Sequence, residues 1–356
     1  MIENIKELRE TLIEAIQNSS NVFIVGHEGP DIDSIGSAIA LSYLASYLGK
    51  EAYIIVDDDE LKIEPRLKTV IDKYKEKYHI IKKKEFLVKS NKKSLLILSD
   101  INNTDRLSVA DSLGKVGSIF TIDHHGENEL TVPANHIFIS LNVSSACEII
   151  TRVLMNGKIP YDKEIASLLY AGIALDTKNF DLNTNGKTHD TAEKLLFNGA
   201  NKELAEELLK EEYDSYCRVK GLVISGAVFK KYTESVSAPT NVAFALNRER
   251  PKQIYYKEEF AKAANDLINL SGVNAAFAMG YVEPGIVHIS ARSGKRVDVG
   301  IIMEKMGGGG NSQLAGGKFQ TEDILGLENE LMGKVKYGIR EEEETIESPP
   351  PMQKRP

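Results

Sequence analysis

Short apolar runs alternate with helical stretches through the first two thirds of the chain, and several runs close on an acidic or histidine-bearing segment. Val22 to Val25 ends at Gly26, Ala52 to Val56 follows a helical pattern from about Ile35 to Leu48, and Leu95 to Leu98 and Ile119 to Ile122 are two further runs. Runs this short and this apolar are buried strands, and strands separated by helices build a parallel sheet covered on both faces. The fold class expected is α/β, a mostly parallel sheet with helices on both faces. From about Ser145 to Glu212 the spacing turns helical, with Ile149, Ile150, Val153 and Leu154 on one face.

At 356 residues the chain is too long for one small core. Near Lys230 to Thr240 periodicity is lost and Ser, Thr and Pro collect, which reads as a linker. The domains expected are therefore 1–229, a linker at 230–240, a smaller α/β domain at 241–336 and a disordered tail at 337–356. The second domain offers strands near Val242 to Leu246, Ala275 to Val282 and Ile286 to Ala291. Helices are expected near Lys257 to Leu270 and Val297 to Lys305, and Gly307 to Gly310 is expected to precede another. The tail, with Glu341 to Glu344 and Pro349 to Pro351, is too charged and Pro-rich to bury a core.

Forty-four basic against 52 acidic residues give a formal charge of −8, which argues against gripping long duplex nucleic acid. The longest apolar stretches, such as Leu168 to Leu175, fall short of the ~20 residues of a membrane span. The amphipathic N-terminus lacks a signal-peptide core, so a cytoplasmic protein is expected. Cys147 and Cys217 show no C-x-x-C spacing and read as reduced thiols.

Chemistry gathers at the strand ends. His27, Asp31 and Asp33 lie where the first strand hands over to a helix, the edge at which open α/β sheets place their sites. Asp100 follows the third run, Asp123-His124-His125 the fourth, and Asp176 ends the apolar segment Ala171 to Leu175. Each has a plainer reading: Asp31 or Asp33 as a helix cap, the histidines as a solvated turn, Asp176 with Thr177 as another cap. Together they describe a site for hard or borderline divalent ions, manganese or magnesium by their oxygens, with iron or cobalt admitted by imidazole. Asp31, Asp33, Asp100 and Asp176 carry −4 when ionised, which two divalent ions cancel. Ions roughly 3.5–4 Å apart stabilise the attacking and leaving oxygens of a phosphoryl displacement. In the second domain Arg292 offers two-pronged contacts to phosphate, and Gly307 to Gly310 offer backbone N–H groups.

The strings GHEGPDIDSIGS, SD at Asp100, DHH and GIALDT, in that order, resemble the DHH phosphoesterase superfamily, in the branch that carries a DHH-associated C-terminal domain. The resemblance covers about residues 20 to 320. It implies that His27, Asp31 and Asp100 hold one Mn2+, that Asp33, Asp100, His124 and Asp176 hold a second, and that Asp100 bridges; Mg2+ or Co2+ would substitute. It further implies that His125 faces the scissile phosphate and that Asp123 orients a histidine. ISARSGKRVDV and MGGGGNSQLAGG resemble the branch's substrate-binding stretch, with Arg292 at its arginine and Gly308, Gly309, Gly310 and Asn311 at its glycine run. Asn311 stands where the family has histidine, which bears on substrate affinity because an amide carries no charge.

VSSACEII and GIALDTKNFDLNTNGKTHDTAEKLLFNGAN are similar to the catalytic region of cyclic-di-AMP phosphodiesterases of the GdpP type, which implies cleavage to the linear dinucleotide pApA. The domain plan is closer to soluble NrnA-like enzymes, which degrade short oligoribonucleotides (nanoRNA) and 3′-phosphoadenosine 5′-phosphate. Family-II inorganic pyrophosphatases share the DHH motif but differ in C-terminal signature. The expected partner is thus a small nucleotide, with a homodimer by analogy alone. The competing class is a nucleotide-binding regulator without catalysis.

Overall fold

The computed structural model describes residues 2–56, 63, 65–127, 129–233, 240–294 and 296–340. The chain divides into two compact units, Met1–Glu211 and Glu212–Pro356. In the first, the order is α1 (Ile5–Asn18), β1 (Val22–Val25), α2 (Ile32–Tyr47), β2 (Ala52–Val56), α3 (Pro65–Tyr74), β3 (Ile80–Lys82), α4 (Lys83–Lys89), β4 (Leu95–Ser99), β5 (Ser118–Asp123), β6 (His136–Ile139), α5 (Ala146–Asn156), α6 (Lys163–Asp176), α7 (Gly186–Phe197) and α8 (Lys202–Leu209).

The six strands lie in the order β3-β2-β1-β4-β5-β6 and every neighbouring pair is parallel. The chain runs outward from β1 to β3, then returns to place β4 on the other side of β1. Where the order reverses, the loops leaving β1 and β4 diverge and open a crevice at the strands' carboxyl ends. Successive side chains point to opposite faces. Val22 and Ile24 join Leu95 and Ile97 against a helical layer that includes Leu12, Ile39, Ile150 and Leu169. Phe23, Val25, Leu96 and Leu98 face Phe86 of α4 together with Leu107 and Val109 from a segment of short 3₁₀ turns.

Two glycines let α2, α5 and α6 approach closely. A Cβ on Gly36 would stand 3.1 Å from the Leu168 carbonyl oxygen, and one on Gly172 would stand 2.4 Å from Cys147 Sγ and 2.9 Å from Asp33 Oδ1.

The second unit runs α9 (Tyr213–Ile224), β7 (Ala227–Tyr232), β8 (Thr240–Leu246), α10 (Lys257–Ile268), β9 (Ala275–Glu283), β10 (Ile286–Ser293), α11 (Val299–Glu304), β11 (Gly309–Gly310), β12 (Leu314–Gln320) and α12 (Ile324–Lys334). Its sheet is mixed, in the order β11-β12-β10-β9-β8-β7. The division between units falls before α9, earlier than the boundary at 229 expected from sequence. Val219 and Leu222 of α9 bury against Ala243, Ala245 and Phe260, so this helix belongs to the second core. Lys230 to Tyr232, expected in the linker, are strand, paired antiparallel with Thr240 to Val242. An edge strand with exposed lysines shows little apolar alternation, which is why composition misreads it. Residues 234–239 of that expected linker, and residues 341–356 of the expected tail, lie outside the described residues.

The glycine run also sits differently from expectation. Gly307 to Gly310 follow α11 and lead through a turn into β12, not into a helix. Gly307, at φ +91°, and Gly308 donate their N–H groups to the carbonyls of Glu304 and Met303 and so close the helix. A Cβ on Gly308 or Gly310 would stand 2.4 Å from a β12 backbone oxygen.

Gly172→Ala should lower stability by about 1–3 kcal/mol through overpacking against Cys147, whereas Gly221→Ala, with open space around its Cβ in exposed α9, should raise it by about 1 kcal/mol. Urea midpoints of the two variants are expected to move in opposite directions.

Candidate metal centre

Four chain segments deliver the site from the carboxyl edge of the first sheet and the helices beside it. The loop after β1 carries His27, and Asp31 closes it as the cap of α2, its Oδ1 accepting the Ser34 N–H at 3.0 Å. The capping reading and the site reading therefore hold together: Asp31 Oδ2 is left 3.8 Å from His27 Nε2. Asp33, inside the first turn of α2, is fully buried. Its two carboxylate oxygens accept the Ala146 and Cys147 N–H groups, each at 2.8 Å, at the start of α5. Those groups would otherwise be unpaired at a helix start, where the dipole favours an anion.

Asp100 leaves β4 with φ +61°, a left-handed backbone that Asp tolerates better than most residues. Its own N–H still bonds the Ile122 carbonyl, so the β4–β5 ladder runs up to the site. Asp100 Oδ2 lies 3.4 Å from His27 Nε2, and its Oδ1 lies 3.3 Å from His124 Nε2 and 3.5 Å from His125 Nδ1. Asp176, last residue of α6, approaches His124 Nε2 to 3.2 Å, and Asp33 stands 3.8 Å from the same nitrogen. Asp123 is buried beneath the histidines. Its Oδ1 accepts the backbone N–H groups of His124 and His125 and lies 2.9 Å from His125 Nδ1.

The residues thus form connected groups: His27, Asp31 and Asp100; Asp33, His124 and Asp176; and Asp100, Asp123, His124 and His125. Within each group the ligand atoms lie within 4.8 Å of one another. Asp100 Oδ1, Asp123 Oδ2 and His124 Nε2 are buried and make no hydrogen bond among the described residues. An unpaired buried polar atom is costly. Three in one cluster, on carboxylate and imidazole, fit the donor set of a divalent cation.

The electrostatics agree. Burial and Arg106 oppose a charged His27, but Asp100 and Asp31 prevail and raise its pKa to about 9. Burial likewise opposes His124, yet Asp100 and Asp176 push it up to about 12. Burial and the neighbouring carboxylates Asp31 and Asp100 lift Asp176 to about 6, while burial with Asp176 and Asp100 holds Asp33 well above the carboxylate range. Asp100 goes the other way: His124 and His27 overcome its burial and keep it strongly acidic. The cluster thus holds protons where a cation could supply the same positive charge.

Beside it opens a cavity of about 540 Å³, lined by His124, His125 and Asp176 on one side and by Leu141 to Ser144 and Asn183 to Asn185 elsewhere. These last two segments were not singled out by sequence reasoning as site residues. A buried Glu148 fastens one of them, accepting from the Ser144 N–H, the Ser144 hydroxyl and the Thr188 hydroxyl.

In the second unit Arg292 donates from Nε to Asn265 Oδ1 at 2.9 Å and from Nη1 to the Ala291 carbonyl at 2.8 Å. Asn311 Oδ1 accepts the N–H groups of Gln313 and Leu314, so the carbonyl half of its amide serves the local turn.

Residues 21–173 match the model of the DHH family, N-terminal domain, and residues 241–333 that of the DHHA1 domain. The cyclic-di-AMP phosphodiesterase GdpP of Bacillus subtilis is 32% identical over 340 residues, 94% of this chain and 50% of that protein. A probable manganese-dependent inorganic pyrophosphatase of Archaeoglobus fulgidus is 28% identical over 196 residues, 53% of this chain and 55% of the other. The chain spans about half the length of the curated relatives it matches. Among solved structures, an exopolyphosphatase-related protein from Bacteroides fragilis has the same fold, with a TM-score of 0.71 at 20% identity, covering 93% of this chain and 97% of that one. No helix among the described residues is long and apolar enough to cross a membrane.

Mn2+ at a hundred times its dissociation constant should stabilise the protein by about 2.7 kcal/mol, or roughly 5–10 °C in the melting midpoint of a unit this size. Chelator should reverse the shift, and Asp33→Ala should shrink it, both read by differential scanning calorimetry.

Proposed function

The chain belongs to the DHH family, and we propose that it is a manganese-dependent phosphodiesterase of small nucleotides, with cyclic di-AMP and linear pApA as its substrates. The observation that carries this reading is the convergence of His27, Asp31, Asp33, Asp100, His124 and Asp176 with unpaired buried atoms at the switch point of a parallel sheet. His27, Asp31 and Asp100 would hold one ion, and Asp33, Asp100, His124 and Asp176 a second, Asp100 being shared. Two divalent ions there would cancel the four carboxylate charges and lower the pKa of water enough for attack on phosphorus at neutral pH. Manganese suits a mixed carboxylate and imidazole set, with Mg2+ or Co2+ as substitutes, and a sequence relative is named for manganese dependence.

The remaining residues position and discharge. Asp123 accepts from His125 Nδ1, which fixes the ring and leaves Nε2 as its remaining polar atom. His125 would then present Nε2 to a non-bridging phosphate oxygen as charge builds there. In the second unit, Arg292 is the residue proposed to bind a substrate phosphate. Two of its N–H groups hold the guanidinium in place and the others make no hydrogen bond among the described residues, a preorganised fork for oxygen ligands. Asn311 keeps its amide N–H groups for the same task. Gly308 and Gly310 shape the turn around Gly309, which, like Gly307, has open space where a Cβ would stand.

The substrate class follows from the cyclic-di-AMP phosphodiesterase relative, which aligns over nearly the whole of this chain. The formal charge of −8 disfavours long polyanions and leaves small nucleotides. The test is incubation with cyclic di-AMP, pApA, 3′-phosphoadenosine 5′-phosphate and a short RNA, each with Mn2+ and then with chelator. Products in the Mn2+ arms alone are expected, with the two adenine dinucleotides turned over fastest. Binding without products in every arm would instead make the protein a nucleotide-binding regulator.

Asp100→Asn keeps a side chain that tolerates the left-handed backbone but removes the shared charge. It should lower Mn2+-dependent kcat by at least about 10³, near 4 kcal/mol, with an unchanged circular dichroism spectrum. Arg292→Ala should act mainly on KM, raising it about 10- to 100-fold for the loss of charged hydrogen bonds worth about 1.5–3 kcal/mol, as read in steady-state kinetics.

A further inference from the structure

The loop between α6 and α7 is held in an uncommon shape. Lys178, Asn179, Phe180 and Asn183 all adopt positive φ, between 48° and 70°, within eight residues of Asp176. For a bulky residue such as Phe180 this is a costly backbone, kept only where the surroundings over-determine it. Here they do. The Thr177 hydroxyl accepts the Phe180 N–H at 3.0 Å, the Leu182 N–H reaches the Thr177 carbonyl at 2.9 Å, and the Phe180 ring lies against Tyr170 and His189. The Asn185 side chain caps α7 and donates to the Asn142 carbonyl at 3.0 Å, tying this loop to the facing one.

The outcome of that strain is the wall of the 540 Å³ cavity, where Asn183 and Thr184 stand beside His124, His125 and Asp176. Neither the Asn183 amide nor the Thr184 hydroxyl makes a hydrogen bond among the described residues. Leu141, on the same cavity, is 71% exposed, a large apolar side chain left in water among polar neighbours. A flat heteroaromatic ring with an apolar face and a hydrogen-bonding edge would satisfy all three.

Resting on the phosphodiesterase reading, we propose that this cavity receives the adenine base of the nucleotide at the scissile phosphate, with Leu141 covering the ring and the Asn183 amide reading its edge. An Asn amide presents one donor and one acceptor side by side, the complement of the adenine N6 amino group and N7. The corresponding guanine edge carries two acceptors, O6 and N7, and leaves the amide oxygen unpaired. The cavity exceeds the size of one base, which leaves space for the ribose between base and metal cluster.

The test compares kcat/KM for cyclic di-AMP and cyclic di-GMP in the Mn2+-loaded full chain, with bis(p-nitrophenyl) phosphate, which has no base, gauging the metal cluster of each variant. Asn183→Gly suits the left-handed backbone and removes the amide, so the protein should fold; the preference for cyclic di-AMP should drop at least tenfold. Asn183→Asp supplies two acceptors, which match the guanine N1–H and N2 amino groups, and should move the preference toward cyclic di-GMP. Leu141→Ala should reduce turnover of both cyclic dinucleotides relative to the base-free diester. An adenine-to-guanine ratio within twofold of the parent in both Asn183 variants would overturn the base pocket while leaving the phosphodiesterase reading intact. A parent protein inert toward all three diesters would overturn both.

Discussion

Mutual repulsion among buried carboxylates is the constraint around which the first unit is built. Asp33 and Asp123 are fully buried, Asp100 nearly so, and Asp31 and Asp176 stand at the same edge. An uncompensated charge in such a place is expensive. The surrounding architecture works to compensate each one. The start of α5 gives Asp33 two backbone N–H groups, the start of α2 gives Asp31 one, the backbone of the two histidines gives Asp123 two, and His27 and His124 stand between the carboxylates. Asp100 Oδ1 is the oxygen left unpaired at the centre. Helix placement and site electrostatics are one problem here: moving α5 would strip Asp33 of its partners, and α5 can approach only because Gly36 and Gly172 carry no side chain.

The parallel sheet sets the stage for this compensation. Returning from β3 to β4 across β1 creates the crevice, and the one-residue overrun of the β4–β5 ladder at Asp100 anchors this residue to two interior strands of the sheet. His125 is the most exposed member of the cluster and the one nearest to what a substrate would meet, and its fixed ring rests on a wholly buried partner. Under the phosphodiesterase proposal, the carboxylates nearest the ions are held by the sheet and by helix starts, whereas Leu141 and Asn183, which would read the base, lie on loops. Division of that kind is common where a scaffold is reused for several substrates.

Much of this arrangement was legible in the residues. The runs at Val22, Ala52, Leu95 and Ile119 are strands β1, β2, β4 and β5 because buried parallel strands are apolar on both faces. The segments carrying His27, Asp31, Asp33, Asp100, Asp123, His124, His125 and Asp176 could be placed at strand or helix ends for the same reason. What sequence could not provide was the third dimension. Lys230 to Tyr232 of β7 read as linker because an exposed edge strand with two lysines lacks apolar alternation, and the glycine run reads as preceding a helix although it closes the one before it. Asn183 and Leu141 passed unnoticed because neither residue type signals chemistry alone. Their meaning comes from a cavity whose walls are 42 positions apart in the chain.

That wide spacing governs when such a centre can exist at all. The clustered side chains run from His27 in the loop after β1 to Asp176 at the end of α6, and Asp33 is held by backbone 113 positions further on. A nascent chain emerging from the ribosome carries the early aspartates long before their counterparts are made, and non-local contacts of this length form late in folding. Under the phosphodiesterase proposal, metal capture in this geometry would be confined to the completed domain, and a truncated or half-synthesised product would have no hydrolytic competence.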